Sequence, residues 1–284
     1  MGFGDEIMAT GFARKEKQKF PNRQIIIGDY KKKFATKSEI FLFNPNIVDP
    51  KKLDYSIPIH FVNNHPDNRP YIAWENTKEG KYIWNFNFKP IPGDLYFSEN
   101  EIFQAKKIVK EAEEFWGEKK MIKHKGIIFL ESSSTKIKNK LFQFKHRNKD
   151  WGENNWSSLV KILNKDYLIV QSMHENSKKL DEVFYCETNF RIACAVMKFC
   201  DLYVGPEGGF GHAAAALRIP AVIIFGGWIH PQVTGYDFHE NIYIDIEGSP
   251  CGVFGSDCNH CKKCMKKITV EMIVKAIDEN ISKK

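Results

Sequence analysis

Short apolar runs alternate with stretches of helical periodicity along the second half of the chain. The runs predict strands at 127–130, 167–171, 202–204 and 221–225, and the segments between them predict helices at 153–163, 189–199 and 212–217. Strands that alternate with helices at this spacing form parallel βαβ units. This half of the chain therefore predicts an α/β fold built on a doubly wound parallel sheet.

The first half of the chain has a less regular pattern. Residues 5–19 place apolar side chains on one helical face and gather Lys and Arg toward the end, which predicts an amphipathic helix. Strand-like runs follow at 24–27, 41–44 and 58–64. Four alternating aromatic residues could form a sugar-stacking surface together with Tyr71 and Trp74, but their period favours a half-buried strand. These four are Tyr82, Trp84, Phe86 and Phe88.

A helix start and a break in the pattern divide the two halves. Ser98 and Glu101 form a capping-box pair ahead of apolar residues at helical spacing, so a helix is expected to run to about residue 116. The basic segment 121–126 then interrupts the pattern before the next strand. We therefore expect one domain at 1–118 and a second domain at 119–284.

Length and composition match a globular chain of this organisation, with 284 residues, 43% hydrophobic and 27% charged. No apolar run approaches the roughly 18–20 residues that span a bilayer, and the opening residues lack the apolar core of a signal peptide. The chain is therefore expected in the cytoplasm. Its seven cysteines are an odd number without a secretory signal, which argues against a complete disulfide framework.

The charge balance is modestly basic, with 42 Lys and Arg against 35 Asp and Glu and a formal net charge of +7. Such an excess could attract a nucleotide phosphate, a nucleic acid or an acidic membrane face. Most of the lysines are scattered beside Asn and Glu, which is more typical of a solvated face than of a binding stripe.

The sharpest chemical signal is a glycine-rich turn between a predicted strand and an alanine-rich helix. It contains Gly205, Gly208, Gly209 and Gly211 within seven residues. Backbone without Cβ atoms lets a ligand approach closely, and a helix N-terminus offers unpaired N–H groups to a diphosphate. Glu207 could accept hydrogen bonds from sugar or ribose hydroxyls, and His212 could donate to a phosphate oxygen. The alternative is a tight turn whose small residues serve close packing, because the spacing is not the dinucleotide fingerprint.

Four cysteines lie within fourteen residues near the C-terminus: Cys251, Cys258, Cys261 and Cys264, with His260 among them. Two-residue gaps between thiols suit one structural zinc ion. The run also resembles part of an iron–sulfur pattern, although a final Cys-Pro is absent. A local disulfide and free thiols remain open alternatives. The other cysteines, Cys186, Cys194 and Cys200, fit buried helix positions.

Several polar residues follow predicted strands at the edge where open α/β sheets bind ligands. Ser132 and Ser133, with Ser134 and Thr135, could contact a donor phosphate or form a surface loop. Weaker candidates for donor contact are His174, Trp228, His230 and Gln232.

The glycine turn and four other segments, in the same chain order, resemble the heptosyltransferase family, glycosyltransferase family nine. Residues 201–245 resemble its C-terminal signature, in which an acidic residue, a glycine and a histidine open a helix beneath the sugar nucleotide. The other matching segments are 2–10, 149–156, 189–200 and the closing run from 264. Together the matches cover the opening thirty residues and nearly everything from 126 onward.

The resemblance implies a GT-B architecture, with two Rossmann-like domains that face a cleft. The acceptor would bind on the N-terminal side, at 1–118, and the nucleotide-sugar donor in the C-terminal domain, at 119–284. By position, the donor would contact Glu207, Gly208, Gly209, Gly211 and His212, and Lys149 would neutralise a phosphate. Asp5 matches the family's catalytic base, although Asp is also a common helix cap. The family usually has Asp at position 207 and a small hydroxyl residue at 208, so the donor sugar is open.

The activity implied is an inverting glycosyl transfer that needs no metal for its chemistry. The donor would be a nucleotide-diphosphate sugar, heptose or another hexose, and the acceptor a surface glycan such as lipopolysaccharide or a lipid-linked molecule, at the inner face of the membrane. Nucleic acid is not expected as a partner. Alternatives are a nucleic-acid-binding protein built around the cysteines and nearby lysines, or a transferase relative that has lost turnover. The lysines are Lys262, Lys263, Lys266 and Lys267.

One departure from the family concerns the start of the chain. A Rossmann-like half needs a hydrophobic strand before its first turn, yet only Met1, Gly2 and Phe3 precede Gly4 and Asp5. We therefore expect a reduced or atypical N-terminal half. Either the natural chain has preceding residues, or another segment replaces the strand, or this half is remodelled.

Overall fold

The computed structural model describes residues 2–63, 69–77, 80–133, 147–174, 177–253 and 258–281. In the first half, helix α1 (Phe3–Lys19) precedes strands β1 (Gln24–Asp29), β2 (Phe34–Ala35) and β3 (Ile59–Asn63). These strands form a sheet in the order β2-β1-β3, with β1 parallel to β3 and antiparallel to β2. Helix α2 (Glu99–Lys119) begins at Ser98, whose side chain accepts from the Glu101 N–H, so the predicted capping box is confirmed.

The second half forms a six-stranded sheet in the order β6-β5-β4-β7-β8-β9, with every neighbouring pair parallel. Counted from its first strand, this is the 3-2-1-4-5-6 order of a Rossmann-like sheet. The strands are β4 (Ile127–Leu130), β5 (Leu168–Met173), β6 (Phe184–Glu187), β7 (Leu202–Pro206), β8 (Ala221–Gly226) and β9 (Glu240–Tyr243). The helices are α3 (Glu153–Leu163), α4 (Phe190–Met197), α5 (Gly209–Leu217), α6 (Pro231–Thr234), α7 (Asn259–Lys267) and α8 (Val270–Ile281). The predicted doubly wound sheet is therefore confirmed.

Alternate residues of each central strand bury on opposite faces of this sheet. Ile127 and Phe129 of β4 pack in one cluster with α2, α4 and α5. Ile128 and Leu130 pack in another cluster with α3 and α8. Because both faces are covered, the central strands are uniformly apolar, which explains why short apolar runs marked them in the sequence.

Helix α1 lies between the two sheets, where it contacts β1 on one side and α5 on the other. Residues Glu6 to Gly11 are all buried, so the prediction of a single apolar face is wrong for its first half. The small residues of this helix allow the close contact: a Cβ on Gly11 would lie 2.7 Å from the Pro92 carbonyl oxygen. Two flanking surfaces, rather than one core, determine which positions of α1 are buried.

Two expected strands of the first half are absent from the described residues. The first was expected at 41–44. There, residues 39–41 form a 3-10 turn capped by Ser38, and Phe43 adopts a φ of 61°, which ends any extended run. Residues 82–88 of the second form only an isolated bridge between Ile72 and Trp84. Trp84 and Phe88 are nevertheless buried, as the core interpretation of this aromatic stretch predicted.

Helix α2 packs against α4, β5 and β6 of the larger sheet. The boundary between 118 and 119 stays a prediction, and the contacts of α2 lie on the C-terminal side of it. Within the described part of the chain, no helix has the length and apolarity needed to cross a membrane.

Candidate functional site

A cavity of about 550 Å³ opens at the carboxyl ends of β4 and β7, where the strand order of the larger sheet reverses. This is the point at which open α/β sheets bind ligands. Both halves of the chain line the cavity, through the start of α1 and residues 69–72 and 82–84 on one side and the glycine turn after β7 on the other. Six of the predicted site residues border it: Asp5, Lys149, Glu207, Gly208, Gly209 and His212.

Glu207 and Lys149 form a buried ion pair on the donor side of the cavity. Burial alone raises the pKa of Glu207, but the adjacent Lys149 ammonium, through its charge and its hydrogen bond to the carboxylate, brings the pKa below its ordinary value. Glu207 is therefore ionised at neutral pH and can accept hydrogen bonds. Lys149 also lies 4.8 Å from the centre of the Trp228 ring, so its charge has two partners in this structure.

His212 lies in the first turn of α5 and is 5% exposed. Burial lowers the pKa of His212, and the nearby carboxylates Glu207 and Asp5 only partly oppose this, so the ring is neutral at pH 7. Its Nδ1 is 2.9 Å from the Tyr236 hydroxyl. When Tyr236 donates to Nδ1, the neutral ring carries its proton on Nε2 and can donate to a ligand from there.

Asp5 lies in the first turn of α1, where it accepts a hydrogen bond from the Gly2 N–H at 3.3 Å. Its carboxylate also accepts from the Tyr71 hydroxyl at 2.6 Å and lies 3.4 Å from Arg69 Nε. Asp5 thus takes part in a helix cap and borders the cavity as well. Arg69 and Tyr71 hold the carboxylate from outside its own helix, which fixes its orientation.

The N-termini of α1 and α5 meet at this site with very little space between them. A Cβ on Gly4 would lie 2.7 Å from His212 Cδ2, closer than real Cβ contacts. Gly208 is different, because its backbone is extended and, among the residues that the structure describes, a Cβ there would meet only the Pro206 carbonyl oxygen, at 3.9 Å. Gly4 is therefore required by packing, whereas Gly208 leaves open space on the cavity side.

Most of the remaining predicted donor contacts do not border the cavity. Gly211 faces the sheet, where a Cβ would lie 3.3 Å from Ile223 Cδ1. The Ser132 hydroxyl accepts from Gln171 Nε2 at 3.0 Å, and neither Ser132 nor Ser133 borders the cavity. Ser134 and Thr135 lie outside the described residues. Of the weaker candidates, His174 and Trp228 border the cavity, while His230 and Gln232 do not.

Sequence reasoning did not identify several residues that line the cavity. Glu131 follows β4 directly and accepts from the Tyr203 hydroxyl at 3.2 Å, and Asn189 caps α4. Both follow strands of the larger sheet, so the strand-end rule that selected Ser132 could have found them. Arg69 had no such signal, because it lies in an irregular segment far from Asp5 in the sequence.

An aromatic wall continues the cavity toward the cysteine-rich segment. Trp84 and Trp228 meet edge to face with ring centres 5.1 Å apart, and Tyr82 lies 5.6 Å from Trp84. The Trp228 indole donates to the Val253 carbonyl at 2.9 Å, and the Gly252 N–H donates back to Trp228 at 3.1 Å. The position of this wall therefore depends on residues 251–253.

The cysteine cluster has the dimensions of a metal site. Ligand atoms of Cys251, Cys258, His260 and Cys261 all lie within 4.8 Å of one another. Cys251 Sγ is 3.7 Å from Cys258 Sγ and 3.2 Å from Cys261 Sγ, close to the separation of about 3.8 Å that a tetrahedral site with 2.3 Å metal–sulfur bonds requires. A hydrogen bond from Cys261 lowers the pKa of Cys251 to about 5, which favours a thiolate.

Cys264, the fourth cysteine of the predicted set, lies outside this group. Its Sγ is 3.8 Å from both ring nitrogens of His260 and 3.8 Å from the Ser249 hydroxyl. The described residues thus offer three thiols and one imidazole as a donor set that fits a metal ion. His260 is the fourth member of this set, whereas the cysteine spacing predicted Cys264.

In sequence, the chain is similar to a heptosyltransferase over part of its length. It is 26% identical over 116 residues to lipooligosaccharide heptosyltransferase 2 of Campylobacter jejuni, which covers 40% of this chain and 34% of that protein. The match therefore spans about a third of the length of this curated relative. No protein-family model matches the chain.

In structure, the similarity extends over the whole chain. A glycosyl transferase family 9 protein from Veillonella parvula superposes with a TM-score of 0.59 and 13% identity, covering 100% of this chain and 95% of that one. The iron-containing dodecameric glycosyltransferase TibC of enterotoxigenic E. coli superposes with a TM-score of 0.64 and 13% identity, covering 99% of this chain and 73% of that one. At such identities the likeness establishes the fold.

Two α/β sheets that meet at one cavity, with a glycine turn at the switch point, define the GT-B class of fold. Within that class, the chain is heptosyltransferase-like and resembles glycosyltransferase family 9, as its motifs predicted.

Proposed function

We propose that this chain is a glycosyltransferase that moves a sugar, a heptose or a hexose, from a nucleotide-diphosphate donor to a surface-glycan or lipid-linked acceptor. One observation carries the proposal: Asp5 of the N-terminal half and the Glu207–His212 turn of the C-terminal half border one cavity at the switch point of the sheet. The fold and the partial sequence similarity to a heptosyltransferase support it.

In the proposed reaction, Asp5 takes the proton of the acceptor hydroxyl as its oxygen attacks the anomeric carbon. The bond from that carbon to the donor phosphate breaks, and the sugar is transferred with inversion. A well-placed general base contributes roughly 10²–10⁴-fold in rate. Tyr71 and Arg69 contact the same carboxylate and would keep one oxygen directed into the cavity.

The departing nucleoside diphosphate gains negative charge during this step. The N–H groups at the start of α5, the Nε2–H of His212 and the ammonium of Lys149 would stabilise that charge most in the transition state. Because the chain itself supplies these groups, the chemistry requires no metal. Lys149 is paired with Glu207 in this structure. When the donor binds, we expect Lys149 to contact the diphosphate and Glu207 to accept a hydrogen bond from a sugar hydroxyl.

Donor binding is the first step to test. The melting temperature is measured with a panel of nucleoside diphosphates and nucleotide sugars, because a ligand at a hundredfold excess over its Kd stabilises the fold by about 2.7 kcal/mol. His212→Gln should remove the shift, whereas His60→Gln, at a histidine on β3 outside the cavity, should preserve it. A panel in which no compound raises the melting temperature would refute the transferase proposal.

We further propose that Cys251, Cys258, His260 and Cys261 hold one structural metal ion, zinc by the chemistry of the donor set. Iron is the alternative, since TibC is described as iron-containing. A bound ion would cross-link the segment that supports Trp228, and so would keep the aromatic wall in place.

The metal proposal is tested by elemental analysis of the purified protein. Cys258→Ser and His260→Ala should each remove the ion, whereas Cys264→Ser should retain it. Loss of metal in Cys264→Ser together with retention in His260→Ala would restore the set of four cysteines. A wild-type protein with no metal and fewer titratable thiols than expected would indicate a disulfide instead.

A further inference from the structure

A second cavity, of about 720 Å³, lies in the N-terminal half, away from the donor turn. Its floor is formed by Ile26 and Ile27 of β1, and residues 36–43 and 47–52 form its walls. The segment that forms these walls is hydrogen-bonded to β1 at two points. The Thr36 N–H donates to the Ile27 carbonyl, and the Val48 N–H donates to the Ile25 carbonyl. The groove is therefore built into the edge of the N-terminal sheet.

Large apolar side chains at this groove are exposed to solvent. Leu42 is 49% and Phe43 59% exposed, although Ile40 and Phe41 beside them pack into the core. Phe43 adopts a φ of 61°, a left-handed conformation that bulky residues rarely occupy and that costs about 1–3 kcal/mol. The chain thus maintains an exposed aromatic ring at a cost to its own stability.

Lysines surround these apolar side chains. Lys37, Lys51 and Lys52 line the groove, and the turn between β1 and β2 adds exposed Lys31, Lys32 and Lys33. Residues 30–57 contain six lysines against three carboxylates, a net charge of +3 out of +7 for the whole chain. Of those carboxylates, Asp49 caps the 3-10 turn at 50–52 and Asp54 binds Ser56. Positive charge around an apolar groove with exposed aromatics complements an anionic lipid surface.

The groove is also joined to the walls of the active-site cavity. The Ser38 hydroxyl donates to the Glu6 carboxylate at 2.5 Å, next to Asp5. Arg191 of α4 donates to the Glu39 carbonyl at 2.7 Å, and the neighbouring Phe190 borders the active-site cavity. A surface held at the groove would therefore lie beside the side of the cavity that carries Asp5.

We propose that this groove docks the protein on an anionic phospholipid bilayer, with Leu42 and Phe43 inserted among the acyl chains and the lysines on the headgroup phosphates. The use of such docking rests on the proposed function, because it would bring lipid-linked acceptors to the cavity beside Asp5. Vesicle binding itself needs neither donor nor turnover, so the two proposals fail separately.

Co-sedimentation with phosphatidylcholine vesicles, with and without phosphatidylglycerol, tests the docking. Wild-type protein should bind the anionic vesicles, and added salt should release it. Lys37→Gln/Lys51→Gln/Lys52→Gln should weaken binding about a hundredfold, since each lysine near such a surface is worth about fivefold. The matched control, Lys262→Gln/Lys263→Gln/Lys266→Gln on the exposed face of α7, should bind as wild type does.

The apolar contribution has a variant that does not threaten the fold. Phe43→Gly relieves the left-handed strain, so its melting temperature should not fall, yet vesicle binding should weaken at least tenfold. Phe103→Ser removes a 68% exposed ring from α2 and should leave binding unchanged. Every variant should keep the donor-induced melting shift of the wild type.

Three results would overturn the docking proposal. One is wild-type protein that stays in the supernatant with anionic vesicles at low salt. Another is an equal loss of binding in the α7 control, which would show only a diffuse charge effect. The third is preference of the same lysines for a single-stranded oligonucleotide over the vesicles.

Discussion

The two sheets of this protein are stabilised in different ways. The six-stranded C-terminal sheet has helices and a core on both faces, and the core on the α2 side also includes Ile7, Ile40 and Ile72 of the N-terminal half. The three-stranded N-terminal sheet packs mainly on α1, through Ala9, Ala13 and Ile25, and the far side of α1 rests on α5. The C-terminal sheet thus draws most of its core from its own strands and helices, whereas the N-terminal sheet takes its position from α1 and, through α1, from α5.

This difference assigns separate tasks within the cavity. The C-terminal sheet places Glu207 and His212 through a turn within its own fold. The N-terminal half contributes Asp5, whose position depends on how α1 lies against α5. Substitutions at the contact between α1 and α5 should therefore affect sugar transfer more than donor binding.

Asp5→Asn should reduce the rate of sugar transfer by about 10²–10⁴-fold, because it removes the proposed base. Donor affinity should stay within about twofold, since Asp5 lies outside the proposed donor contacts. The measurements are kcat for transfer and calorimetric titration with the donor. Asp54→Asn, at an exposed carboxylate, is the matched control and should leave both unchanged. A parallel fall in donor affinity would show that the two tasks are not separate.

Arg191→Met should destabilise the fold by about 3–5 kcal/mol, since it leaves Glu101 and two carbonyls without a buried partner. The Arg191 side chain is 3% exposed and binds Glu101 and the carbonyls of Glu39 and Tyr96. Urea unfolding measures the loss. Lys178→Met removes an ion pair of which both members are exposed, so it should leave the urea midpoint almost unchanged. An equal loss of stability in the two variants would contradict the role of Arg191 as a side chain that links the two halves of the chain.

Gly4→Ala should cost about 1–3 kcal/mol and displace His212, because the new Cβ would lie 2.7 Å from its ring. Gly208→Ala should change stability by less than about 0.5 kcal/mol, since among the described residues only the Pro206 carbonyl lies within 4 Å of the new Cβ. Thermal unfolding with and without donor compares them. If Gly208→Ala abolishes the donor shift at unchanged stability, position 208 serves the ligand. If it leaves the shift intact, close backbone approach at 208 is not required.

Much of the C-terminal half could be predicted from the sequence because its signals are local. Strands buried on both faces read as apolar runs. The same reason made the capping box at Ser98 recognisable at the end of the first half, because it is formed by residues three apart. The turn around Glu207 was recognisable for the same reason, since strand, glycines and helix follow one another directly.

The N-terminal half was harder to predict because its determinants are distant in sequence. The burial of Glu6 depends on contacts with Ser38 and with elements of both sheets, which no periodicity encodes. Tyr71 reaches Asp5 across 66 positions, so neither residue indicates the other. At the metal site, the regular cysteine spacing favoured Cys264, whereas the fold brings His260 toward Cys251.

Tyr71→Phe should lower kcat for transfer about tenfold, because it removes one hydrogen bond that orients the Asp5 carboxylate. Donor KM and the melting temperature should change little, as the ring itself is retained. Steady-state kinetics separate the two parameters. Tyr185→Phe, at a tyrosine of β6 whose hydroxyl donates to the Leu180 carbonyl outside the cavity, is the matched control and should preserve kcat. A rise in donor KM without a fall in kcat would place Tyr71 on the donor side instead.

The smallest expected effect is a pH dependence at the Arg191 tie. Arg191 lowers the pKa of Glu101 from 4.5 to about 2, so the ionised carboxylate stabilises the fold above pH 4.5 and this contribution is lost as the pH falls toward 2. Allowing for solvent screening, it should be worth about 1 kcal/mol. Urea unfolding between pH 7 and pH 3 should show Glu101→Gln less stable than wild type at pH 7, with the difference shrinking below pH 4.5. A difference that stays constant over this range would mean that Glu101 contributes by packing alone, and the tie between the halves would then rest on the two backbone carbonyls.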